Sequence, residues 1–118
     1  MMVLFLTAVI SLLAGIFSGL LGIGGGLVLV PLFHYILKMD MHIAVGTSLA
    51  IIVPTALVGT FRHASGNFVD WRIFVFSVIF ATLGGFLGAG ISMHLDVILL
   101  KKIFAVFLIF VALKMFFQ

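Results

Sequence analysis

The segment Gly22-Ile23-Gly24-Gly25-Gly26 could do chemistry with its backbone atoms. Glycine costs a helix about 1 kcal/mol relative to alanine, so this run favours a break in the helix. A helix that begins beside such a break directs its free N–H groups and its positive dipole end at it, an arrangement that holds anionic substrates in membrane transporters. We therefore interpret Gly24, Gly25 and Gly26 as candidate substrate-binding residues. The alternative is that these glycines only let helices pack closely.

Two hydroxyl side chains follow a glycine at the start of the next apolar run. Thr47 and Ser48 come directly after Gly46 and can donate hydrogen bonds to an oxyanion. Pro54 has no N–H and therefore leaves the Ala50 carbonyl without its helical partner. Thr47 and Ser48 are a second pair of candidate substrate-binding residues. The alternative is that each hydroxyl bonds back to a carbonyl of its own helix.

A basic pair, Arg62 and His63, follows Phe61 at the end of the same run. An arginine near a membrane interface usually extends toward water, and Trp71 nearby is typical of an interfacial anchor. The functional interpretation is a mouth that attracts anions, with a histidine that can change charge near neutral pH. On that interpretation Arg62 and His63 are further candidate substrate-binding residues. The four histidines lack the spacing of a metal site, so the sequence indicates no metal and no cofactor.

The amino-acid composition indicates that lipid, and not water, surrounds this protein. Of 118 residues, 65% are hydrophobic and 8% are charged, with six Lys or Arg and three acidic residues. So few charges cannot cover the water-facing surface of a small domain, and we predict that the lipid bilayer is its partner. The absence of cysteine excludes disulfides. No basic run suits nucleic acid, no enzyme motif is present, and no cleavable signal peptide is expected.

The first apolar segment is too long for one straight span. Before Lys38 there are 37 uncharged residues, which as one helix would measure about 55 Å against a hydrocarbon core of about 30 Å. The stretches 12–21 and 27–37 on either side of the glycines are each about ten residues, which places the break near the midplane. The sequence leaves open whether the second half crosses the membrane or folds back as a re-entrant hairpin.

Three further apolar segments cover residues 43–61, 73–93 and 97–117, the last with three lysines whose stems can reach the interfaces. We predict an all-α integral membrane fold of about four transmembrane segments, with residues 1–118 forming one membrane domain. Lys38, Lys101 and Lys102 fall on one side, and three other basic residues fall on the opposite side. Orientation is therefore weakly specified, because the positive-inside rule gives no preference.

The order and spacing of several motifs resemble the sulfite exporter TauE/SafE family, also called the 4-toluene sulfonate uptake permease family. The matching pieces are GLLGIGGG at 19–26, VP at 30–31, AVGTSL at 44–49, His63, Gly66, VD at 69–70 and LGGFLG at 83–88. The resemblance implies a secondary transporter that moves small sulfur-containing or organic anions across the inner membrane.

Members of that family are about twice this length and consist of two related halves, and this chain resembles the N-terminal half. The resemblance therefore implies a homodimer, or assembly with a partner half-transporter. Two other functions remain open from the residues alone. One is a helical membrane subunit that does not transport, and the other is a small anion channel.

Overall fold

The computed structural model describes all 118 residues and contains five α-helices and no strand. The helices are α1 (Met2–Leu21), α2 (Gly26–Tyr35), α3 (Met41–Ser65), α4 (Trp71–His94) and α5 (Val97–Phe116). Helices α1, α3 and α4 are long and apolar enough to cross a membrane. Helix α5 has 20 residues and the necessary length, whereas α2, with ten residues or about 15 Å, does not. The predicted all-α membrane fold with about four spans is confirmed.

All three acidic residues stand immediately before a helix. The Asp40 carboxylate accepts a hydrogen bond from the His42 N–H at 2.9 Å at the start of α3. Asp70 Oδ1 accepts from the Arg72 N–H at 3.0 Å and from the next N–H at 3.2 Å at the start of α4. Asp96 occupies the N-cap position of α5. The side-chain hydrogen bonds of Asp40 and Asp70 stabilise their helices by about 1 kcal/mol each, and all three carboxylates place negative charge at a positive dipole end.

The chain reverses direction at a glycine turn formed by residues 22–25. Three glycines of this turn have left-handed backbones, with φ of 68°, 75° and 77° at Gly22, Gly24 and Gly25. A Cβ on Gly25 would lie 3.4 Å from the Ala14 carbonyl oxygen, although a straight helix would separate these residues by about 16 Å. The segment therefore folds back. Helix α1 begins at Met2 and is longer than the ten-residue stretch expected before the break.

Helices α2 and α3 lie side by side and antiparallel. Near the start of α2, a Cβ on Gly26 would lie 3.2 Å from Ile52 Cδ1, and further along α2, Phe33 shares a buried cluster with Ala44. Ile52 is close to the centre of α3 (Met41–Ser65), so the glycine turn is level with the middle of this long helix. This height agrees with the predicted break near the membrane midplane.

Two compact units make up the chain, Met1–Ser77 and Val78–Gln118. The first has a small buried core built from α1, α2 and α3, whose members are Ile10, Ala14, Leu29, Phe33 and Ala44. The second contains most of α4 and all of α5, and neither helix has a buried residue. Exposed apolar side chains are expected in a bilayer, because lipid tails are as apolar as the side chains and no hydrophobic effect drives them into the protein interior.

Candidate substrate-binding site

A cavity of about 250 Å³ lies between the end of α1, the glycine turn and the second half of α3. It exists because α2 begins level with Ile52, so the part of α3 beyond that residue has no α2 beside it. Four polar side chains line the cavity, namely Ser18, Thr55, Thr60 and His63. A depression of about 760 Å³ adjoins it, shares Thr55 and His63, and adds Arg62. We call the two together the turn cavity.

The glycine turn leaves a run of backbone donors without acceptors. No N–H from residue 23 to residue 27 donates to an oxygen of the protein, and the next two, Val28 and Leu29, both donate to the Gly25 carbonyl at 3.0 and 2.9 Å. These free N–H groups include those of the first turn of α2, whose dipole end is positive. The turn can therefore donate hydrogen bonds to a negatively charged oxygen.

The three candidate glycines have different positions in this turn. Gly24 lines the turn cavity. Gly25 is buried, and a Cβ there would meet both α1 residues Ala14 and Ser18 at 3.4 Å. A Cβ on Gly26 would meet Ile52. Gly25 and Gly26 thus shape the turn by close contact with α1 and α3, and Gly24 is the one whose atoms border the cavity.

His63 connects α3 to the end of α1. Its Nε2 atom lies 3.1 Å from the Gly19 carbonyl oxygen, across 44 residues of sequence. A carbonyl only accepts hydrogen bonds, so Nε2 must carry the hydrogen and donate. The bond satisfies one of the last carbonyls of α1, which have no partner within the helix. Most hydroxyl bonds, such as that of Thr7 to Val3, instead stay within one turn of their own helix.

Arg62 brings a positive charge to the adjoining depression. Its side chain is exposed and has no carboxylate within 4 Å. Asp70, the nearest acidic residue in sequence, is engaged in capping α4. No carboxylate lines the turn cavity, so its polar surface favours anions over cations.

The structure does not bring Thr47 and Ser48 to this cavity. Ser48 is 2% exposed, and its hydroxyl donates to the Val45 carbonyl at 2.9 Å. Thr47 is half-buried in the same first half of α3 and does not line the cavity. Of the residues expected from the sequence, Gly24, Arg62 and His63 meet around the turn cavity, while Thr47 and Ser48 lie apart from it.

Sequence reasoning missed three hydroxyl residues of the cavity, Ser18, Thr55 and Thr60. The Thr55 hydroxyl donates to the Ile51 carbonyl at 2.8 Å, whereas those of Ser18 and Thr60 have no partner in the protein. A signal for Thr55 was present, because Thr55, Gly59 and His63 recur at intervals of four along one helix face. A stripe of small and polar residues on an apolar helix marks the face that does not contact lipid.

The fold and the site define a multi-pass α-helical protein of the inner membrane with a broken first segment. The family model for the sulfite exporter TauE/SafE matches residues 7–118, and the chain belongs to this family. It is 32% identical to a probable membrane transporter protein of Methanocaldococcus jannaschii over 93% of the chain and 43% of the relative. It is 36% identical to a probable membrane transporter protein of Xylella fastidiosa, over 87% of the chain and 40% of the relative.

A longer relative, the probable membrane transporter protein MamO of Paramagnetospirillum magneticum, is 32% identical over 92% of the chain and 18% of its own length. The chain thus spans about two fifths of the length of the first two relatives and less of the third. No solved structure gives a significant match.

Proposed function

We propose that this chain is one half of a secondary transporter for small anions, with the turn cavity as its substrate site. The observation that carries the proposal is the run of free backbone N–H groups at residues 23–27, level with the middle of α3. Unpaired backbone at membrane depth costs several kcal/mol per group unless it lines a cavity or binds something. An anion at the turn would offset that cost.

The substrate class follows from the donors and from the size of the cavity. Backbone N–H groups and the hydroxyls of Ser18 and Thr60 can each donate to a separate oxygen, which suits sulfite or a sulfonate. A volume of about 250 Å³ accommodates a small anion. The family description names sulfite export, which supports the same class. Arg62 and His63 would attract the anion, and Gly24, Gly25 and Gly26 would form the donor turn.

We further propose that two copies assemble, or that the chain pairs with a separate second half. The chain covers about two fifths of its first two relatives, whose remaining length would supply the rest of the substrate path. Because the glycine turn and α2 lead the chain back along α1, the three helices α3, α4 and α5 determine the side of the membrane on which the chain ends, and a second half continuing from α5 would be inverted. Two separate copies would then insert in opposite orientations, which the even split of basic residues permits.

Anion flux into liposomes that contain only the purified protein tests the transport proposal. We expect saturable uptake and counterflow that discriminates among sulfite, sulfoacetate, taurine and chloride. Flux that rises linearly with concentration without counterflow would indicate a channel. No flux above that of empty liposomes would contradict transport by this chain alone and favour a subunit that does not transport.

Labelling of a single cysteine tests the inverted dimer. The natural chain has no cysteine, so Gln118→Cys provides one unique site at the C-terminus. An impermeant thiol reagent applied to intact cells should label about half of the molecules if both orientations occur. Labelling of all or none would contradict dual insertion, and a monomer in native-like lipid would contradict the dimer.

A further inference from the structure

We propose that His63 is the proton-binding residue of this chain, and that one proton on its ring travels with each anion. The inference rests on the proposed transport function and adds the coupling ion to it. Its basis is the position of the imidazole, which lines the turn cavity and at the same time donates to the end of α1.

The hydrogen bond to Gly19 determines which ring nitrogen takes up the proton. Nε2 lies 3.1 Å from the Gly19 carbonyl oxygen and must donate to it in the neutral ring as well as in the charged one. The proton that charges the ring therefore adds to Nδ1. Protonation leaves the bond between α3 and α1 in place and changes the charge of the cavity by one unit.

Among the side chains that line the cavity of about 250 Å³, His63 is the only titratable one. On its own helix the adjacent charged group is Arg62, which lines the adjoining depression. Asp70 lies beyond the end of α3 and caps α4. Helix α1 and the glycine turn have no charged side chain. The titratable side chains of α2 are at its far end, namely Tyr35 and His34, whose Nδ1 lies 2.8 Å from the Met39 carbonyl oxygen.

An anion at the turn and a proton on His63 attract each other, because both occupy the same cavity. Binding of one must raise the affinity for the other by an equal factor, since coupling between two sites is reciprocal. The doubly loaded state is therefore favoured over either singly loaded state, and anion and proton move in the same direction. A proton gradient would then drive anion accumulation on the alkaline side.

Proton-driven uptake by His63→Gln measures this coupling. A glutamine amide can still donate to the Gly19 carbonyl, so the variant retains the link to α1 but cannot take up a proton. With one proton per anion and the membrane potential held at zero, each pH unit across the liposome should support about tenfold accumulation of sulfite by the natural chain. We expect no proton-driven accumulation of sulfite by His63→Gln. His94→Gln, outside the cavity at the end of α4, is the matched control and should accumulate normally.

A second measurement does not depend on transport by the variant. Addition of sulfoacetate, which is fully ionised near pH 7 and so does not exchange protons itself, to the natural protein in weakly buffered detergent should withdraw up to one proton per bound anion from solution, and His63→Gln should withdraw none. Accumulation or proton uptake that persists in His63→Gln would overturn the assignment. Saturable flux of the natural chain without any proton-driven accumulation would overturn it too, while leaving the proposed transport function intact. No flux under any gradient would overturn both.

Discussion

The two halves of α3 have opposite environments. In the first half, Met41, Ala44 and Ser48 are buried, and Ala44 belongs to the cluster that contains residues of α1 and α2. In the second half, Thr55, Thr60 and His63 line the turn cavity. The difference comes from the length of α2, whose ten residues cover only about 15 Å of the 25-residue helix α3.

Comparing the two halves shows one hydroxyl among packed side chains that bonds within its helix, and one that faces the cavity and stays available to a ligand. Ser48 faces packed side chains, and its hydroxyl bonds back to Val45. Thr60 faces the cavity, and its hydroxyl has no partner in the protein. The glycine turn sets the boundary between the two environments, because it fixes where α2 begins. Substitutions on either side of this boundary should therefore have different effects.

We expect the largest effect on transport from Gly25→Leu, because this substitution disturbs the glycine turn that sets the boundary between the two halves of α3. Its φ of 77° costs a side-chain-bearing residue about 1–2 kcal/mol, and the new side chain would collide with Ala14 and Ser18. We expect the start of α2 to move and the turn cavity to lose its shape, so that sulfite flux falls below detection. Membrane insertion should remain, because leucine favours it.

Gly46→Leu is the matched control for that change. Gly46 lies in the first half of α3, and a Cβ there has no neighbour within 4 Å. Normal flux in this variant would show that the loss in Gly25→Leu comes from the turn and not from added bulk. Flux of Gly25→Leu equal to that of the natural chain would contradict a role of the turn in the substrate path.

The next effect compares one hydroxyl from each half of α3. Thr60→Val should raise the half-saturation concentration for sulfite by a factor of about ten or more, since a hydrogen bond to a charged group contributes roughly 1.5–3 kcal/mol. Ser48→Ala should leave that concentration unchanged and alter thermal stability alone, because its hydroxyl is already bonded within the helix. Uptake kinetics and melting of both variants, with Thr47→Val alongside, provide the measurement. Weaker binding in Ser48→Ala would place the first half of α3 in the substrate path.

The sequence predicts the helices well wherever long uncharged runs end at charged residues. The predicted segments 43–61 and 73–93 became Met41–Ser65 and Trp71–His94, and the segment 97–117 became Val97–Phe116. The fold-back at the glycine turn was not predictable, because it depends on contact between Gly25 and Ala14, eleven residues earlier. Glycines permit such a reversal but do not require it.

The candidate site was predictable only where the residue type alone suggests a function. Glycine density pointed to the turn, and the basic pair pointed to Arg62 and His63, which line the turn cavity. The bond from His63 to Gly19 joins residues 44 apart, and no local pattern encodes such a distance. Which hydroxyls face a cavity depends on how far α2 extends along α3, so Thr47 and Thr60 could not be distinguished from the sequence.

The smallest effect concerns the charge at the outer end of the second half of α3. Arg62 is exposed and has no ion-pair partner, so its role would be to raise the local anion concentration. Arg62→Gln should lower sulfite uptake at subsaturating concentration about two- to fivefold, the range expected for an exposed charge worth up to about 1 kcal/mol. The maximal rate should not change, and Arg62→Lys should behave like the natural chain.

Salt distinguishes this role from a direct contact with the substrate. The Debye length, beyond which exposed charges are largely screened from each other, is about 8 Å at physiological ionic strength and about 3 Å at 1 M. The difference between Arg62→Gln and the natural chain should therefore shrink toward zero as salt rises, if the guanidinium acts at a distance from the bound anion. A defect that is constant from low to high salt would place Arg62 against the substrate. The turn cavity would then bind its anion through the depression next to Arg62 and not through the glycine turn alone.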